Sequence, residues 1–194
     1  MLDNKYSEIT EEIKEFAELC KQNRIAPELY GKYEVKRGLR DVNGKGVLAG
    51  LTEISKIQSY VVEDNEMIPC EGKLYYHGIN VEDLVDGFIK EKRFGFEEVT
   101  YLLLFGKLPN KEETNKFNKI LNEYRSLPTN FVRDIIMKAP SKDMMNVMAR
   151  SVLTLYAYDD KADDITIPNA LRQCLQLIAV FPVLSVYGYQ TYSH

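Results

Sequence analysis

The sequence is poor in histidine and cysteine, two residue types that often build catalytic and metal sites. Its 194 residues include two histidines, His77 and His194, and three cysteines, Cys20, Cys70 and Cys174. The cysteines are far apart and form no Cys-x-x-Cys pair, so neither a zinc site nor a disulfide framework is indicated. We therefore expect thiols in a reducing cytoplasm and no metal site.

The sequence also lacks a basic patch and a long apolar run. The formal net charge is -4, and basic residues alternate with acids, as in "IKEKR" (89–93). Nucleic-acid binding needs concentrated basic charge, so no nucleic-acid partner is expected. No uninterrupted apolar run reaches the ~20 residues of a membrane span. The longest candidate, 175–189, contains Pro182 and is interpreted as a buried helix. With a polar N-terminus, untypical of a signal peptide, these features predict a cytoplasmic protein without a membrane partner.

Common catalytic motifs are absent as well. The sequence contains no GxSxG, GxxxxGK[ST], HExxH or GxGxxG segment. His77, in "YYHG", is compatible with a general base or ligand, or with a side chain hydrogen-bonded at a turn. Because no second histidine is nearby, the structural role is favoured. The glutamate pairs at 97–98 and 112–113 are predicted in first helical turns, where the helix dipole favours acids without any catalytic role.

What the sequence does contain is helical periodicity in a globular composition, with 45% hydrophobic and 28% charged residues. Thr10 is predicted to cap one helix and Asn80 another, and Asn110 with Glu113 forms a capping box for a third. Gly106 is placed to end a helix over 96–105 in the left-handed conformation. The predicted inward faces are Ile13, Phe16, Ala17 and Cys20; Val81, Leu84, Val85, Phe88 and Ile89; and Phe117, Ile120, Leu121 and Tyr124.

Helical patterns continue to the end of the chain. Thr129 is predicted to open a short helix that ends at Pro140, and Ser141 to begin the next. The acidic run "DDKADD" (159–164) is interpreted as a solvated loop, and Pro168 suits the first turn of a last helix. The predicted inward residues are Met144, Val147, Met148, Ser151, Val152 and Leu155 in the first of these long helices, and Leu171, Cys174, Leu175, Ile178 and Phe181 in the second.

Strand character is confined to residues 51–78. "SYVVE" (59–63) and "MIP" (67–69) are apolar and partly β-branched, Glu71-Gly72 is a predicted turn, and Leu74–Tyr76 follows. Residues 33–50 are predicted to form a loop with a turn at "DVNGKG". No linker or repeat divides the chain. The sequence therefore predicts a single, mainly α domain over 1–194, with a small β-meander near residues 54–78 that must lie against helices.

Three segments resemble one enzyme family in order and spacing: "VLAGLTEISKI" (47–57), "GKLYYHGINVEDL" (72–84) and "FGFEEVTYLLLFGKLPNKEE" (94–113). The chain is similar there to the N-terminal part of the large domain of citrate synthase. "KDMMNVMARSVLTLY" (142–156) and "PNALRQCLQLIAVFPVLSVYGYQTY" (168–192) resemble two long helices of that family. His77 stands where the family usually has arginine.

The resemblance implies a multi-helix fold and a homodimer formed through the helices at 142–158 and 168–192. It implies an acyltransferase of the tricarboxylic acid cycle that condenses acetyl-CoA, a cosubstrate rather than a tightly bound cofactor, with oxaloacetate to give citrate and CoA. A 2-methylcitrate synthase is the related possibility. The family's catalytic histidines and aspartate lie in His-Gly-Gly, Gly-His-Arg and later segments that this sequence does not contain, so we expect no catalytic residue in this chain.

Two hypotheses follow. In the first, the chain is a catalytically silent part of a synthase, truncated before the catalytic histidines and aspartate. In the second, it is a non-catalytic helical module that dimerises or binds a partner protein. The two long helices carry broad apolar faces that need cover, so we predict that the chain self-associates through them.

Overall fold

The computed structural model describes residues 7–36, 38–40, 46–64 and 66–194, and their secondary structure is mainly α-helical. The mainly α prediction is confirmed. The described elements are α1 (Glu11–Gln22), α2 (Pro27–Lys32), β1 (Ser55–Glu63), β2 (Glu66–Tyr76), β3 (Ile79–Asn80), α3 (Val81–Glu91), α4 (Phe96–Phe105), α5 (Lys111–Tyr124), a π-helical turn (Val132–Ile136), α6 (Met144–Tyr156) and α7 (Ile167–Ser193).

The chain divides into two compact units. One comprises the described residues up to Leu19 together with Asn115–His194, and the other is Cys20–Thr114. We call them the helical unit and the sheet unit. That the whole chain is a single domain stays a prediction.

The sheet unit contains the predicted β-sheet near residues 54–78, with strand order β1-β2-β3 and antiparallel pairing. The predicted turn at Glu71-Gly72 is wrong, because β2 runs through both residues. Gln58 pairs with Lys73, whereas Tyr60 pairs with Pro69, so the residues between Pro69 and Lys73 form a bulge. Glycine in a strand often marks a bulge, so the local signal was real but its structure was misassigned.

The loop predicted over 33–50 is only partly described. Most of the "DVNGKG" turn, residues 41–45, lies outside the described residues. Arg40 and Gly46, on either side of it, form an isolated antiparallel bridge. Just before this loop, Pro27 begins the short helix α2, which the periodicity did not predict.

Helix ends in the sheet unit follow the predicted chemistry. The amide of Glu82 donates to Oδ1 of Asn80 at 3.1 Å, which caps α3. Gly106 ends α4 with φ 75°, and its amide donates to the carbonyl of Leu102 at 2.8 Å. The capping box before α5 is reciprocal, since the amides of Asn110 and Glu113 each donate at 2.9 Å to the side chain of the other.

The predicted inward face of α3 is only partly covered within the sheet unit. Leu84 is buried at 5% exposure, whereas Val85 and Ile89 are 45% and 69% exposed. A period of 3.6 residues identifies which side chains share a helix face, but not how much of that face a neighbouring element covers.

The helical unit packs aromatic and aliphatic side chains of α1 against α5. The rings of Phe16 and Phe117 meet edge to face with centroids 6.0 Å apart. Ile13, Ile120 and Leu121 are buried, as predicted. The Thr10 hydroxyl oxygen accepts from the amide of Ile13 at 3.4 Å, which supports its predicted capping role.

Two predicted helix starts need correction in the second half of the chain. The short helix after Thr129 is a π-helical turn, in which the amide of Met137 donates to the carbonyl of Val132. The cap of α6 is Asp143 rather than Ser141, because the Asp143 carboxylate accepts from the amide of Asn146 at 3.0 Å. Ser141 instead accepts from the amide of Asp143.

Helix α7 begins with Pro168 in its first turn, as predicted, and continues through Pro182 to Ser193. By length and composition it could cross a membrane, with a mean hydropathy of 1.4 in a window that is 39% buried. Core helices of soluble proteins meet the same criterion, so this is weak evidence for a span. The buried, charged Arg172 on α7 also fits a protein core that supplies it with partners.

Candidate functional site

The predicted interaction elements, α6 and α7, pack together in the helical unit. Gly188 of α7 lies against Val147 of α6 so closely that a Cβ atom there would be 2.9 Å from Val147 Cγ1. Absence of a side chain at this position lets the two helices approach. The buried residues of the shared core are Phe131, Ile136, Val147, Leu155, Val180 and Leu184.

Each of these helices also carries an exposed stripe at the same spacing, i, i+4, i+8 and i+11. Such residues share one face of an α-helix. Met145 and Leu153 are 78% and 74% exposed on α6, and Tyr189 is 58% exposed on α7. The stripes are Met145, Ala149, Leu153 and Tyr156 on α6, and Phe181, Ser185, Tyr189 and Tyr192 on α7; all eight residues are exposed.

A side-chain contact links α6 to the α7 stripe. The hydroxyl of Ser185 lies 3.5 Å from the sulfur of Met148, which is adjacent in sequence to Ala149 of the α6 stripe. Exposed apolar side chains that share a helix face are a recognised feature of interaction surfaces. The stripes are therefore the candidate interface of this chain.

Beneath the start of α7 lies a buried polar network centred on Arg172, whose side chain is 0% exposed. Its guanidinium donates to both carboxylate oxygens of Asp159 at 2.7 and 2.8 Å. It also donates to Oδ1 of Asn169 and to Oε1 of Gln176. A buried charge is tolerated when it is paired and hydrogen-bonded in this way.

Asp159 is the acidic centre of the network. Burial alone would raise its pKa, but hydrogen bonds from Gln173, Arg172 and the Ser7 hydroxyl outweigh that effect and lower the pKa to about 2. The Ser7 hydroxyl donates to Asp159 at 2.7 Å, which ties the N-terminal segment to this network.

The interpretation of 159–164 as a solvated loop is therefore wrong for Asp159, whose side chain is 6% exposed. The sequence shows that Arg172 needs a charged partner, but it does not show which residue supplies that charge. Arg172 is the one charged residue of α7 and follows the apolar Leu171, and a charged residue there needs an opposite charge within reach.

His77 lies in the predicted turn between β2 and β3, with φ 45°. Its backbone amide donates to the carbonyl of Ile54 at 2.9 Å. Its Nε2 atom is buried without a hydrogen-bond partner in the described part of the chain, so the expected side-chain bond is not seen there. His194 is at the C-terminal end of α7.

The four glutamates predicted in first helical turns lie there, and Glu98 and Glu113 have structural partners. Glu98 pairs with Arg93 at 2.8 Å, and Glu113 pairs with Lys107 at 2.7 Å besides capping α5. Burial, with a smaller effect of Glu113, raises the pKa of the nearby Tyr101 to about 12.

Within 7–36, 38–40, 46–64 and 66–194, no three or more His, Cys, Asp or Glu side chains are placed to hold a metal ion. Cys20, Cys70 and Cys174 are thiols that are not joined in disulfides, and burial raises the pKa of Cys174.

The chain is a mainly α protein that contains two paired helices, α6 and α7, and a small three-stranded sheet. Comparison with known proteins identifies its family. A family model described as citrate synthase, C-terminal domain, matches residues 38–194. The chain therefore belongs to the citrate synthase family, which confirms the resemblance seen in the sequence.

The relatives include 2-methylcitrate synthases and citrate synthases. A 2-methylcitrate synthase 1 of Corynebacterium glutamicum is 32% identical over 65% of this chain and 28% of the relative. Citrate synthases of Corynebacterium glutamicum and Haloferax volcanii are 29% and 31% identical, over 82% and 80% of this chain and 34% and 37% of each relative. The chain thus spans about a third of the length of these curated relatives.

Proposed function

We propose that this chain provides the dimer-forming helical scaffold of a citrate synthase-type enzyme. In the complete enzyme the reaction is the condensation of acetyl-CoA with oxaloacetate to give citrate and CoA, with 2-methylcitrate formation as the related alternative. The observation that carries the proposal is the family match over residues 38–194, which includes both long helices.

The chain alone is proposed to be catalytically silent. It supplies two histidines, of which one is the terminal residue and the other, His77, lies in a strand-connecting turn. A carboxylate base and a histidine that stabilises the enolate must converge on the substrate in this chemistry. Among the described residues, Nε2 of His77 has no hydrogen-bond partner, so no carboxylate is paired with it there. Oxaloacetate and acetyl-CoA are accordingly proposed as substrates of the complete enzyme only.

The partner proposed for the stripes of α6 and α7 is a second copy of this chain. Such a surface is usable by a two-fold dimer, in which each stripe meets an identical or neighbouring stripe of the other copy. Apolar and aromatic residues without intervening charges, as in Phe181, Tyr189 and Tyr192, are the composition typical of interface cores.

Light scattering tests the dimer. The purified chain should change from monomer mass to dimer mass as its concentration rises, and the double variant Met145→Glu/Leu153→Glu should remain monomeric. Ile57→Glu, at a side chain 79% exposed on β1, is the matched control and should dimerise like the parent chain. A monomer mass at every concentration would exclude the proposed dimer.

A thiol-release assay with acetyl-CoA and oxaloacetate tests whether the chain alone is catalytically inactive. We expect no turnover above background from the pure chain. Turnover that scales with chain concentration and survives repeated purification would contradict the proposal and locate catalytic groups within these 194 residues.

A second candidate function, a non-catalytic module that binds another protein, is favoured by the same exposed stripes. The two candidates differ in what occupies the stripes. A complex of this chain with a different purified protein, detected by its mass and lost in Met145→Glu/Leu153→Glu, would favour the module. Homodimerisation alone would favour the scaffold.

A further inference from the structure

The outer edge of β1 is not covered by another strand in the part of the chain that the structure describes. In the sheet order β1-β2-β3, β1 is an edge strand that pairs with β2 on one side. Among the described residues, no backbone hydrogen bond joins 55–63 to anything outside the sheet. A row of unpaired amides and carbonyls on an extended strand is a template for a further strand.

The pairing with β2 shows which backbone groups of β1 lie on this edge. In an antiparallel ladder, opposite residues alternate between pairs that exchange two hydrogen bonds and pairs that exchange none. Tyr60 is opposite Pro69, which has no amide hydrogen, so this pair is of the second kind. The amide and carbonyl of Tyr60 therefore point away from β2, and those of Val62, two residues further along, do the same.

The side chains beside these backbone groups form an exposed apolar surface. Tyr60 and Val62 share one face of the hairpin, and Val62 is opposite Met67 of β2 on that face. All three side chains are at least half exposed. Residues 60–63 contain neither lysine nor proline, which commonly protect an edge strand from pairing. An added strand would satisfy the open backbone groups and cover part of this face.

The end of the hairpin is acidic. Glu63, Asp64 and Glu66 are exposed where β1 ends and β2 begins. None of the three carboxylates forms an ion pair within the described ranges. A strand antiparallel to β1 has its N-terminal end beside them. Basic residues at that end would therefore complement the charge of the hairpin.

We propose that β1 binds an extended segment of another protein as a fourth strand of the sheet, antiparallel to β1. The segment has basic residues at its N-terminal end, followed by apolar residues at alternating positions. Main-chain hydrogen bonds to Tyr60 and Val62 attach it, and the apolar face and acidic end select its sequence. The inference goes beyond the proposed function and does not depend on it, because the proposed dimer surface is on α6 and α7.

The probe is a synthetic peptide of about eight residues, capped at both ends, with a pair of lysines followed by alternating threonine and valine. Calorimetry at low ionic strength measures its affinity for the full chain. One matched peptide has the same composition with the lysines at its C-terminal end. Another is N-methylated at its threonine and valine amides, so these cannot donate hydrogen bonds. We expect each matched peptide to bind more weakly by about fivefold or more.

Proline substitutions locate the contact on β1. Val62→Pro should weaken peptide binding by about fivefold or more, because it removes an amide from the free edge. Its Tm should stay close to that of the parent chain, since proline is accepted where a strand amide faces solvent. Val61→Pro instead removes a hydrogen bond between β1 and β2 and should lower the Tm. Phe94→Ser, at an exposed side chain outside the sheet, is the matched control and should bind like the parent chain.

Removal of the acidic end tests the orientation of the bound segment. Glu63→Gln/Asp64→Asn/Glu66→Gln should bind the peptides with lysines at opposite ends with nearly equal affinity, because the charge that distinguishes them is gone. Equal affinity of the parent chain for these two peptides would overturn the antiparallel arrangement.

The proposal as a whole is overturned if the peptide does not bind at millimolar concentration, if its N-methylated form binds as tightly, or if Val62→Pro keeps the affinity of the parent chain. Equal losses of Tm in Val61→Pro and Val62→Pro would show that the amide of Val62 does not face outward. Protection of that amide from hydrogen exchange in the pure chain, rising with chain concentration, would also overturn the proposal, since a second copy would then occupy the edge.

Discussion

At the scale of single residues, Arg172 is the centre of the buried polar network of the helical unit. Its guanidinium is fully buried and satisfies acceptors on Asp159, Asn169 and Gln176. Removing one partner of a buried ion pair leaves the other charge in a poorly solvated place. Removing one partner of the network should therefore reduce stability by more than the intact ion pair contributes to it.

Arg172→Met should reduce the free energy of unfolding by about 3–5 kcal/mol, because Asp159 would remain buried without its charged partner. Urea denaturation measures this change. The matched control is Arg133→Met, which breaks the exposed pair with Asp134 and should cost less than about 1 kcal/mol. Equal losses in the two variants would contradict a special role for the buried pair.

The same network predicts a pH dependence. The pKa of Asp159 is about 2 in the folded chain and ordinarily 3.8. A depressed folded pKa gives stability that is fully present above 3.8 and is lost as the pH falls through 2. The loss due to this group should be roughly 2 kcal/mol.

Asp159→Asn isolates that contribution. The variant should be less stable than the parent chain at neutral pH, and its free energy of unfolding should fall less steeply between pH 4 and pH 2. Parallel curves for the two proteins, measured by urea denaturation across that range, would show that Asp159 does not titrate as described.

At the scale of secondary-structure elements, local chemistry predicted the helix ends better than the strand connections. The Asn110 and Glu113 capping box and the Gly106 stop depend on side chains within a few residues, so the sequence contains all the information. The bulge at Gly72 depends on pairing with a different strand. Its glycine was therefore mistaken for a turn, because the register of β1 and β2 is not a local property.

The connection between α3 and α4 depends on a glycine for a steric reason. A Cβ atom on Gly95 would lie 2.1 Å from the ring of Phe88, against which Arg93 also stacks at 4.9 Å. Gly95→Ala should therefore destabilise the sheet unit by about 1–3 kcal/mol, since the ring must leave its position. Thermal and urea unfolding measure the effect.

Gly87 provides the matched control within α3. A Cβ atom there meets nothing within 4 Å, so Gly87→Ala should be neutral or stabilise the chain by about 0.5–1 kcal/mol through helix propensity. If Gly95→Ala were as well tolerated as Gly87→Ala, the packing of Phe88 on Gly95 would not be needed for this connection.

At the scale of the whole molecule, family membership was recognisable from ordered segments, whereas the partners of buried polar groups were not. Residues 47–57, 72–84 and 94–113 identified the family because their spacing is specific. The pairing of Asp159 with Arg172 joins a loop to a helix across 13 residues, and nothing in the acidic run marks which carboxylate turns inward. The composition of the acidic run predicted solvent exposure for all of its carboxylates. Tertiary packing buried one of them, Asp159.

Self-association should make the thermal stability of the whole chain depend on its concentration. If the folded chain dimerises and the unfolded chain does not, mass action raises Tm as concentration rises. We expect an upward shift of several degrees over a hundredfold concentration range, because one kcal/mol moves the Tm of a domain of this size by roughly 2–4 °C. Leu153→Glu should remove this dependence, since it places a charge in the α6 stripe.

The control variant separates dimerisation from a general effect of adding charge. Ile57→Glu also replaces an exposed aliphatic side chain by glutamate, but it lies on β1 in the sheet unit. Its Tm should keep the concentration dependence of the parent chain. A parent Tm that is constant across the range would mean that α6 and α7 are covered by something other than a second copy. Loss of the dependence in both variants would instead indicate a general effect of the added charge.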